Sequence, residues 1–414
     1  KMISIYNMKL LSRIIFSIAV FLHIGCSNVE TRYEVIDLAG AVHNVEPCKL
    51  STYASNIDYL PIGSEDSVLL GDIYDHMFLV DEEHIFIVAP KMKCIYMFGR
   101  DGKLIRSIGQ RGRAYGEYTA TRSMMSDSGS DLLMVEGGNK TVFYSITDGS
   151  CKGEYNFDEL FHKSKDQLMV ARDGRSQILS NVTIAKIVMK DKKFYLATGD
   201  QSTLDQALII VGENGAIESR VEIRKTEVRN FFNNVLTASI YEYDNKINLI
   251  HGLQDTIYQL EGERLFPRIA INYGNYQTLS TQKSRRKSNN SMQVAVGYPF
   301  LESPAMIAGT VFLPSSAVVY SNGSQYSNFV YDKASRKSVI VDYQEEFDMA
   351  GFINDIDGGM PFWPQQLKGN KMFSFVDAGT FIEMSKKCNS PKMKEVARKL
   401  TEESNPVLVE VTLK

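Results

Sequence analysis

The sequence has few cysteines and no excess of basic charge, and each shortage excludes a class of protein. Its 414 residues include 46 Lys and Arg against 49 Asp and Glu, so it lacks the basic surplus that nucleic-acid binders use to neutralise phosphates. Four of the five cysteines, Cys48, Cys94, Cys151 and Cys388, are widely scattered, which argues against a zinc site. They leave room for one disulfide, although isolated thiols packed in strands are the more common outcome.

Known catalytic sequences are also missing. The chain contains no Gly-x-Ser-x-Gly elbow, no His-Glu-x-x-His and no Walker sequence. The sequence therefore does not indicate catalysis, and it indicates no cofactor.

The first 25 residues differ from all that follow. Lys9 and Arg13 precede the apolar run "IIFSIAVFLHIG", which has roughly half of the ~20 residues that a membrane span needs. This pattern predicts a signal peptide over residues 1–25. Gly25 and Cys26 resemble a bacterial lipobox, with His23 in place of the usual leucine, so we expect acylation of Cys26; the alternative is an ordinary secretory signal cut nearby.

Residues 95–118, "IYMFGRDGKLIRSIGQRGRAYGEY", hold five glycines and four arginines. Such a stretch could cradle a phosphate, but glycine loops that bind nucleotides lie between a strand and a helix. In this chain the residues after Tyr118 are instead predicted to form another strand. The pairs Asp101-Gly102, Asp148-Gly149 and Asn214-Gly215 lie between apolar runs and predict hairpins with type I′ turns.

These hairpins belong to a repeat of six units. From Ile95 to Phe381 the outer strands recur in five steps of about 57 residues, a period typical of propeller blades with inserted loops. The inner runs begin at 84, 132, 193, 246, 317 and 371, and the outer strands at 94, 141, 207, 255, 328 and 380. Near-continuous apolar inner runs fit sheets that are buried on both faces.

The two ends of the repeat region predict closure of a ring. The segment "NSPKMKEVARKLTEES" reads as a helix with Ser390 as its N-cap, and "PVLVEVTLK" after it alternates as a strand. We expect this last strand to pair with "RYEVIDL", residues 32–38. The predicted fold is an all-β, six-bladed β-propeller over residues 32–414, closed by its N- and C-terminal strands, with a short C-terminal helix before the last strand. Residues 26–31 would be a tether.

Four stretches together resemble a known family, the six-bladed β-propeller lipoproteins of Bacteroides and related gut bacteria, whose blades are similar to NHL repeats. They are residues 98–118, residues 254–274, "FINDIDGGMPFWP" from 352 and "ESNPVLVEVTLK" from 403. Ala114-Tyr115 stand where that family usually has Gly-Pro. The resemblance covers residues 32–414 and implies an exported propeller. It implies no catalytic residue, because the family has no established activity.

Two loops carry the candidate binding residues. Arg111, Arg113, Tyr115 and Glu117 could hold an anionic group or stack on a sugar ring; the alternative is a plain connection between blades with solvated arginines. In the second loop Asp355 and Asp357 are weak candidates for calcium, although a rigid turn is favoured. The single tryptophan, Trp363, is either a stacking platform or a core residue.

Two further features are weaker. The polar, basic segment 280–291 predicts a solvated loop, with contact to an acidic partner as the alternative. His76, His84, His162 and His251 fall in different units and could in principle meet in a channel metal site, but packed or surface histidines are favoured.

These patterns predict a lipid-anchored propeller in the bacterial envelope that binds a protein, peptide or glycan and no nucleic acid. The expected location is the outer membrane, at its periplasmic face or the cell surface, with Glu30 as the only acidic residue near Cys26. A metal-assisted lyase or hydrolase at the channel mouth is the alternative function. A structural subunit of an envelope assembly is the third.

Overall fold

Strands dominate the chain. The computed structural model describes residues 34–63, 68–71, 73, 77–88, 93–137, 140–155, 169–172, 175–178, 182–200, 206–212, 215–224, 238–251, 255–274, 295–312 and 326–414. The chain divides into the units Lys1–Glu34 and Val35–Lys414, and the second contains the propeller. The predicted signal peptide, Cys26 and the loop 280–291 lie outside the described residues.

Six antiparallel sheets, called blades 1 to 6 here, follow one another along the chain, and their strands are numbered in chain order. Blade 1 has β4 (Phe78–Val80), β5 (His84–Ile87), β6 (Ile95–Gly99) and β7 (Leu104–Ile108); blade 2 has β10 (Ser123–Asp127), β11 (Leu132–Gly137), β12 (Lys140–Ser145) and β13 (Cys151–Tyr155); blade 3 has β16 (Val182–Lys190), β17 (Lys193–Asp200), β18 (Gln206–Val211) and β19 (Ile217–Arg224). Blade 4 has β20 (Ala238–Tyr243), β21 (Lys246–His251), β22 (Thr256–Glu261) and β23 (Arg264–Asn272); blade 5 has β24 (Ala295–Glu302), β25 (Met306–Phe312), β26 (Tyr326–Asp332) and β27 (Lys337–Val341); blade 6 has β30 (Gln366–Lys368), β31 (Lys371–Val376), β32 (Val407–Leu413) and β3 (Ala54–Pro61).

The remaining elements are short. They are the strands β1 (Glu34–Asp37), β2 (Val45–Glu46), β8 (Gln110–Arg111), β9 (Glu117–Tyr118), β14 (Met169–Arg172), β15 (Arg175–Ile178), β28 (Tyr343–Gln344) and β29 (Met349–Ala350), the helices α1 (Leu38–Ala41), α2 (Ala378–Lys387) and α3 (Pro391–Ala397), and the 3₁₀ turns Leu50–Thr52 and Ser128–Ser130. Within the described ranges, no helix has both the length and the apolar character to span a membrane.

The blades form a closed ring. The first strands of the six blades contact one another in cyclic order, and β30 of blade 6 also contacts β4 of blade 1. The amide of Gln366 seals this last junction, because it accepts a hydrogen bond from the Val80 N–H (2.9 Å) and donates one to the Val80 carbonyl (3.0 Å). The predicted six-bladed propeller is thus confirmed.

Each junction between neighbouring blades contains its own apolar cluster. Phe86 of blade 1 and Leu133 of blade 2 belong to one such cluster, and Phe78 of blade 1 and Phe373 of blade 6 to another. The same holds at the other four junctions. Both faces of a blade are therefore buried, which is why its strands are apolar on consecutive positions and do not alternate.

Residues 34–61, called the strap here, run along the outer edges of three blades. β1 joins the edge of blade 4 beside β23, β2 pairs in parallel with β27 of blade 5, and β3 pairs with β32 as the outer strand of blade 6. Closure by strands from the two ends of the propeller is confirmed. The closing strand, however, is Ala54–Pro61 and not the segment 32–38.

The length of the two strands explains this difference. β3 has eight residues, matches the seven of β32, and brings Ala54, Ile57 and Tyr59 into the cluster between blades 5 and 6. β1 has four residues, and only Ile36 in it is fully buried. The longer register buries more apolar surface, so it defines the closure.

Three other local predictions have different outcomes. The outer strand predicted at 380–388 is wrong, because residues 380–387 belong to α2 and Cys388 is the C-cap of that helix. The Asp377 carboxylate caps the start of α2 by accepting the Thr380 N–H (2.8 Å). The predicted inner strand at 317 lies outside the described residues, and β25 is the second strand of blade 5. The predicted helix before the last strand is confirmed as α3, capped by Ser390.

The hairpins at Gly102 and Gly149 are confirmed, but they are not type I′ turns. Both glycines have positive φ, whereas Asp101 and Asp148 do not. At the first hairpin the Gly102 N–H bonds the Gly99 carbonyl (2.9 Å), as in a type I turn closed by a glycine bulge. Paired positive φ values occur instead at Asp191-Lys192 and Asp244-Asn245, where β16 meets β17 and β20 meets β21.

A buried carboxylate links blades 4 and 5. Glu302 accepts hydrogen bonds from Arg268 Nη1 (2.8 Å), Lys333 Nζ (2.7 Å) and the Tyr241 hydroxyl (2.7 Å). Burial by itself would raise the pKa of Glu302, but the two cations outweigh it and the pKa is lowered. The carboxylate therefore stays charged inside the junction. Cys48, Cys94, Cys151 and Cys388 are free thiols.

A second carboxylate lies at the junction that closes the ring. Glu410 of β32 binds Lys371 of the neighbouring strand and Arg100 in the β6–β7 turn of blade 1. Its side chain is only 17% exposed. The pair with Arg100 therefore joins the last blade to the first across a partly desolvated contact.

We expect Glu410→Gln to lower the free energy of unfolding by about 1–3 kcal/mol, because two cations lose their charged partner in a half-buried site. Urea unfolding followed by circular dichroism measures it. Glu395→Gln is the matched control, since Glu395 pairs with Lys399 on the surface, and it should change stability by less than about 0.5 kcal/mol. Equal effects from both variants would contradict a role for Glu410 in closure.

Candidate functional site

The glycine and arginine stretch forms a hairpin and the crossover loop between blades 1 and 2. β6 and β7 make the hairpin, and residues 109–122 then lead to β10. Within the crossover, β8 and β9 form a short parallel pair. A strand follows the loop and not a helix, so the geometry of a nucleotide-binding loop is absent from this described segment.

The crossover loop is anchored on blade 2. The Tyr144 hydroxyl donates to the Gly116 carbonyl (2.7 Å), and Lys140 Nζ donates to the Ala114 carbonyl (2.7 Å). Glu154 accepts from Lys140 (2.7 Å) and from the Gly116 N–H (2.9 Å). Side chains of β12 and β13 therefore hold the loop backbone in one place.

The four predicted binding residues of this loop differ in their surroundings. Glu117 accepts the Ala114 N–H (2.9 Å), and Arg111 Nε donates to a backbone carbonyl of the same loop (3.1 Å). Arg111, Arg113 and Tyr115 are all exposed, Tyr115 by 72%, but the side chains of the last two make no hydrogen bond within this described loop. Arg111 and Glu117 thus stabilise the loop, while Arg113 and Tyr115 are presented to solvent. Ligand binding by these four residues stays a prediction.

The two aspartates of the second predicted loop hold the strap and helix α3. Asp355 accepts the Ser51 N–H (2.9 Å) and the Ser51 hydroxyl (2.6 Å). Burial raises the pKa of Asp355, but these two donors outweigh it and the pKa is lowered. One strap residue is therefore tied to the crossover between blades 5 and 6.

Asp357 has a different set of donors. It accepts from Asn354 Nδ2 (2.7 Å), the Gly359 N–H (3.0 Å), the Tyr59 hydroxyl (3.2 Å) and the Ser390 hydroxyl. Among the described residues, no three His, Cys, Asp or Glu side chains cluster so as to hold a metal. The interpretation as a rigid turn agrees with these contacts, and calcium binding by the two aspartates stays a prediction.

Trp363 lies in the same loop and lines a cavity of about 620 Å³. Its ring is half-buried and stacks on Phe352, with centroids 5.5 Å apart and planes inclined by 24°. The indole N–H is buried and has no acceptor among the described residues. Trp363 therefore packs on the core and also borders the cavity, and its role as a stacking platform for a ligand stays a prediction.

The cavity lies between the blade 5–6 crossover and helix α2. Its apolar wall consists of Ile73, Phe347, Met349, Met360, Pro361, Phe362, Phe375, Val376, Met384 and Pro406. A volume of a few hundred Å³ with aromatic walls and few polar groups is typical of ligand sites.

Polar groups of the cavity are held in place by the backbone. Asn328 Nδ2 donates to the Ala350 carbonyl (2.7 Å), and Gln365 Oε1 accepts the Phe375 N–H (2.8 Å). Asp377 caps α2 and also lines the cavity. The arrangement suits a ligand with an apolar face and several hydrogen-bonding groups.

Sequence reasoning identified Trp363 but missed most of its neighbours in the cavity. The pattern predicts Asp377 at the end of an inner strand and Thr380 and Met384 in an outer strand, whereas Asp377 caps α2 and the other two belong to it. The N-cap signal of Asp377, three residues before Thr380, could have revealed this helix.

The chain matches the family described as a domain of unknown function, DUF4934, over residues 33–412. It belongs to the DUF4934 family. A search of curated proteins found no relative. The fold of this DUF4934 chain is similar to that of a Bacteroides fragilis protein described as exported, with 13% identity, a TM-score of 0.64, and coverage of 92% of this chain and 99% of that one. A DUF4221 protein of Bacteroides vulgatus matches 90% of this chain and 98% of that one at 10% identity and TM-score 0.46. At 13% identity the likeness to the Bacteroides fragilis protein shows the fold alone.

Substitution of Gly109 by alanine tests how closely the crossover loop packs on Tyr144. A Cβ there would lie 2.5 Å from the Tyr144 ring, whereas a Cβ at Gly262 would meet nothing, and the two φ values are +62° and +59°. Both alanine variants pay the same backbone strain of about 1–2 kcal/mol. We expect Gly109→Ala to lose about 1–3 kcal/mol more of unfolding free energy, measured in urea. Equal losses would show that Tyr144 moves aside freely.

Proposed function

We propose that this protein is a lipid-anchored propeller of the cell envelope that binds a protein, peptide or glycan in the Trp363 cavity. The cavity itself is the observation that carries the proposal. It combines an aromatic wall, a buried indole N–H that has no acceptor among the described residues, and amide and carboxylate groups held by backbone contacts. Sugars and peptides both offer an apolar face beside hydrogen-bonding groups, which is what such a wall recognises.

The position in the ring supports the same proposal. Strands alternate in direction within each blade, so the crossovers and the connection that carries α2 lie at one end of the ring. Propellers present ligand sites at such an end, where connections from several blades converge. Blades 5 and 6 and Ile73, which precedes blade 1, all contribute to the cavity.

Export and anchoring are proposed from the sequence of residues 1–31. The short apolar run before Gly25-Cys26 supports a lipoprotein signal, and the structural relative in Bacteroides fragilis is described as exported. The proposed location is the outer membrane. Protease shaving of intact cells separates its periplasmic face from the cell surface.

The alternative function is a metal-assisted lyase or hydrolase. Metal analysis of the purified protein distinguishes this enzyme from a binding propeller. Stoichiometric zinc or calcium would favour the enzyme. A structural subunit would instead co-purify with envelope proteins and bind no peptide or glycan on arrays.

Trp363 is the only tryptophan, so its fluorescence reports on the cavity alone. We expect peptides or glycans selected on arrays to shift its emission, and Trp363→Ala to bind them at least roughly tenfold more weakly, because stacking contact is lost. Phe266→Ala, which removes an exposed aromatic side chain on β23 of blade 4, is the control and should bind as the unaltered protein does. Binding that survives Trp363→Ala would move the site elsewhere.

Cys26→Ser tests the lipid anchor. We expect the unaltered chain to incorporate labelled palmitate and to fractionate with membranes, and the variant to do neither, because the acylated thiol is missing. An unaltered chain without label, released into the soluble envelope fraction, would indicate an ordinary secretory signal.

A further inference from the structure

A second cavity lies at the opposite end of the ring, between blades 1 and 2. Its volume is about 340 Å³, and it is lined by Glu83, His84, Met97, Ile105, Arg106, Asp131, Ile146 and Thr147. These residues come from turns that join first to second and third to fourth strands, and from β5, β6 and β7. This cavity is therefore separate from the crossovers and from Trp363.

Unpartnered polar atoms concentrate at this cavity. Within the described residues, six buried side-chain nitrogen or oxygen atoms lack a hydrogen-bond partner. Three of them belong to blade 1, namely His84 Nδ1, Arg106 Nε and Asp81 Oδ2, and His84 and Arg106 line the cavity. His84 Nδ1 faces the Asp81 carboxylate, 3.7 Å from its Oδ1. Buried polar groups are nearly always paired, so the remaining atom, Arg106 Nε, indicates a missing partner.

Arg106 lacks a counter-ion. It lies on β7 opposite Met97, and within the described part of the chain no carboxylate lies within 4.0 Å of its guanidinium. A half-buried guanidinium without an acceptor is costly and favours an anionic partner.

Asp131 places a carboxylate on the same cavity. Its Oδ2 accepts the Ser145 hydroxyl (2.6 Å) and its Oδ1 accepts the Thr147 N–H (2.7 Å). The Ser145 hydroxyl and then the Thr147 N–H lower the pKa of Asp131, so the carboxylate is charged at neutral pH. Glu83 adds a second acidic side chain to the lining.

We propose that this cavity binds a small zwitterion of the α-amino acid class. Its carboxylate would bond Arg106, and its ammonium group would face Asp131 and Glu83. A cation and an anion that share a cavity without pairing are complementary to a ligand that carries both charges. Met97, Ile105 and Ile146 offer apolar contact to an aliphatic side chain. The site is independent of the Trp363 cavity.

The experiment is calorimetric titration of the purified full chain with L-leucine and with two analogues that each lack one charge. These are 4-methylpentanoate, without the ammonium group, and 3-methylbutylamine, without the carboxylate. We expect L-leucine to bind. Each analogue should bind at least roughly tenfold more weakly, since each leaves either Arg106 or the two carboxylates of the cavity without a partner. Equal affinity for 4-methylpentanoate would overturn the zwitterion in favour of a plain anion.

Variants assign the binding to this cavity. Arg106→Gln should weaken the binding of L-leucine roughly tenfold or more, while the matched control Arg398→Gln, at an exposed arginine that ends α3, should leave it unchanged. If Arg106→Gln fails to fold, Asp131→Asn serves instead. It should weaken the binding of L-leucine without weakening the binding of 4-methylpentanoate. The proposal would be overturned if neither L-leucine nor any other standard amino acid bound, or if Arg106→Gln bound L-leucine as well as the unaltered chain does.

Discussion

Closure of the ring by β3 and β32 is the interaction on which the rest of the structure depends. Each blade is apolar on both faces, so it is stable only between two neighbours, and an open ring would leave the outer faces of blades 1 and 6 in water. The register of β3 on β32 prevents this. Gln366 and Glu410 then join blade 6 to blade 1 through Val80 and Arg100.

The same closure explains the aspartates of the second loop. Ser51 and Tyr59 belong to the strap, and both donate to carboxylates in the blade 5–6 crossover. Asp355 and Asp357 therefore connect the strap to the loop that carries Trp363. The wall of the Trp363 cavity and the closing strand are thus parts of one hydrogen-bonded unit, which gives the proposed site a rigid base.

Sequence reasoning succeeded where a property repeats along the chain. Apolar runs that recur on average about every 57 residues, roughly one per blade, predicted six blades, because every blade must bury the same two faces. It failed where a choice depends on distant partners. The run at 380–388 is apolar enough for a strand, but Asp377 begins a helix there, and turn types at Gly102 and Gly149 depend on the bulge that each hairpin needs.

The amino-acid sequence by itself determined the blade number, the closure by strands from both ends and the helix α3, since these follow from hydrophobic period and capping. Tertiary structure alone decided which strand closes the ring and which side chains share a cavity. Asn328, Trp363 and Asp377 meet around one cavity, as do Arg106 and Asp131 around another. Such convergence arises because the ring brings neighbouring blades face to face, a relation between side chains that spacing along the chain does not encode.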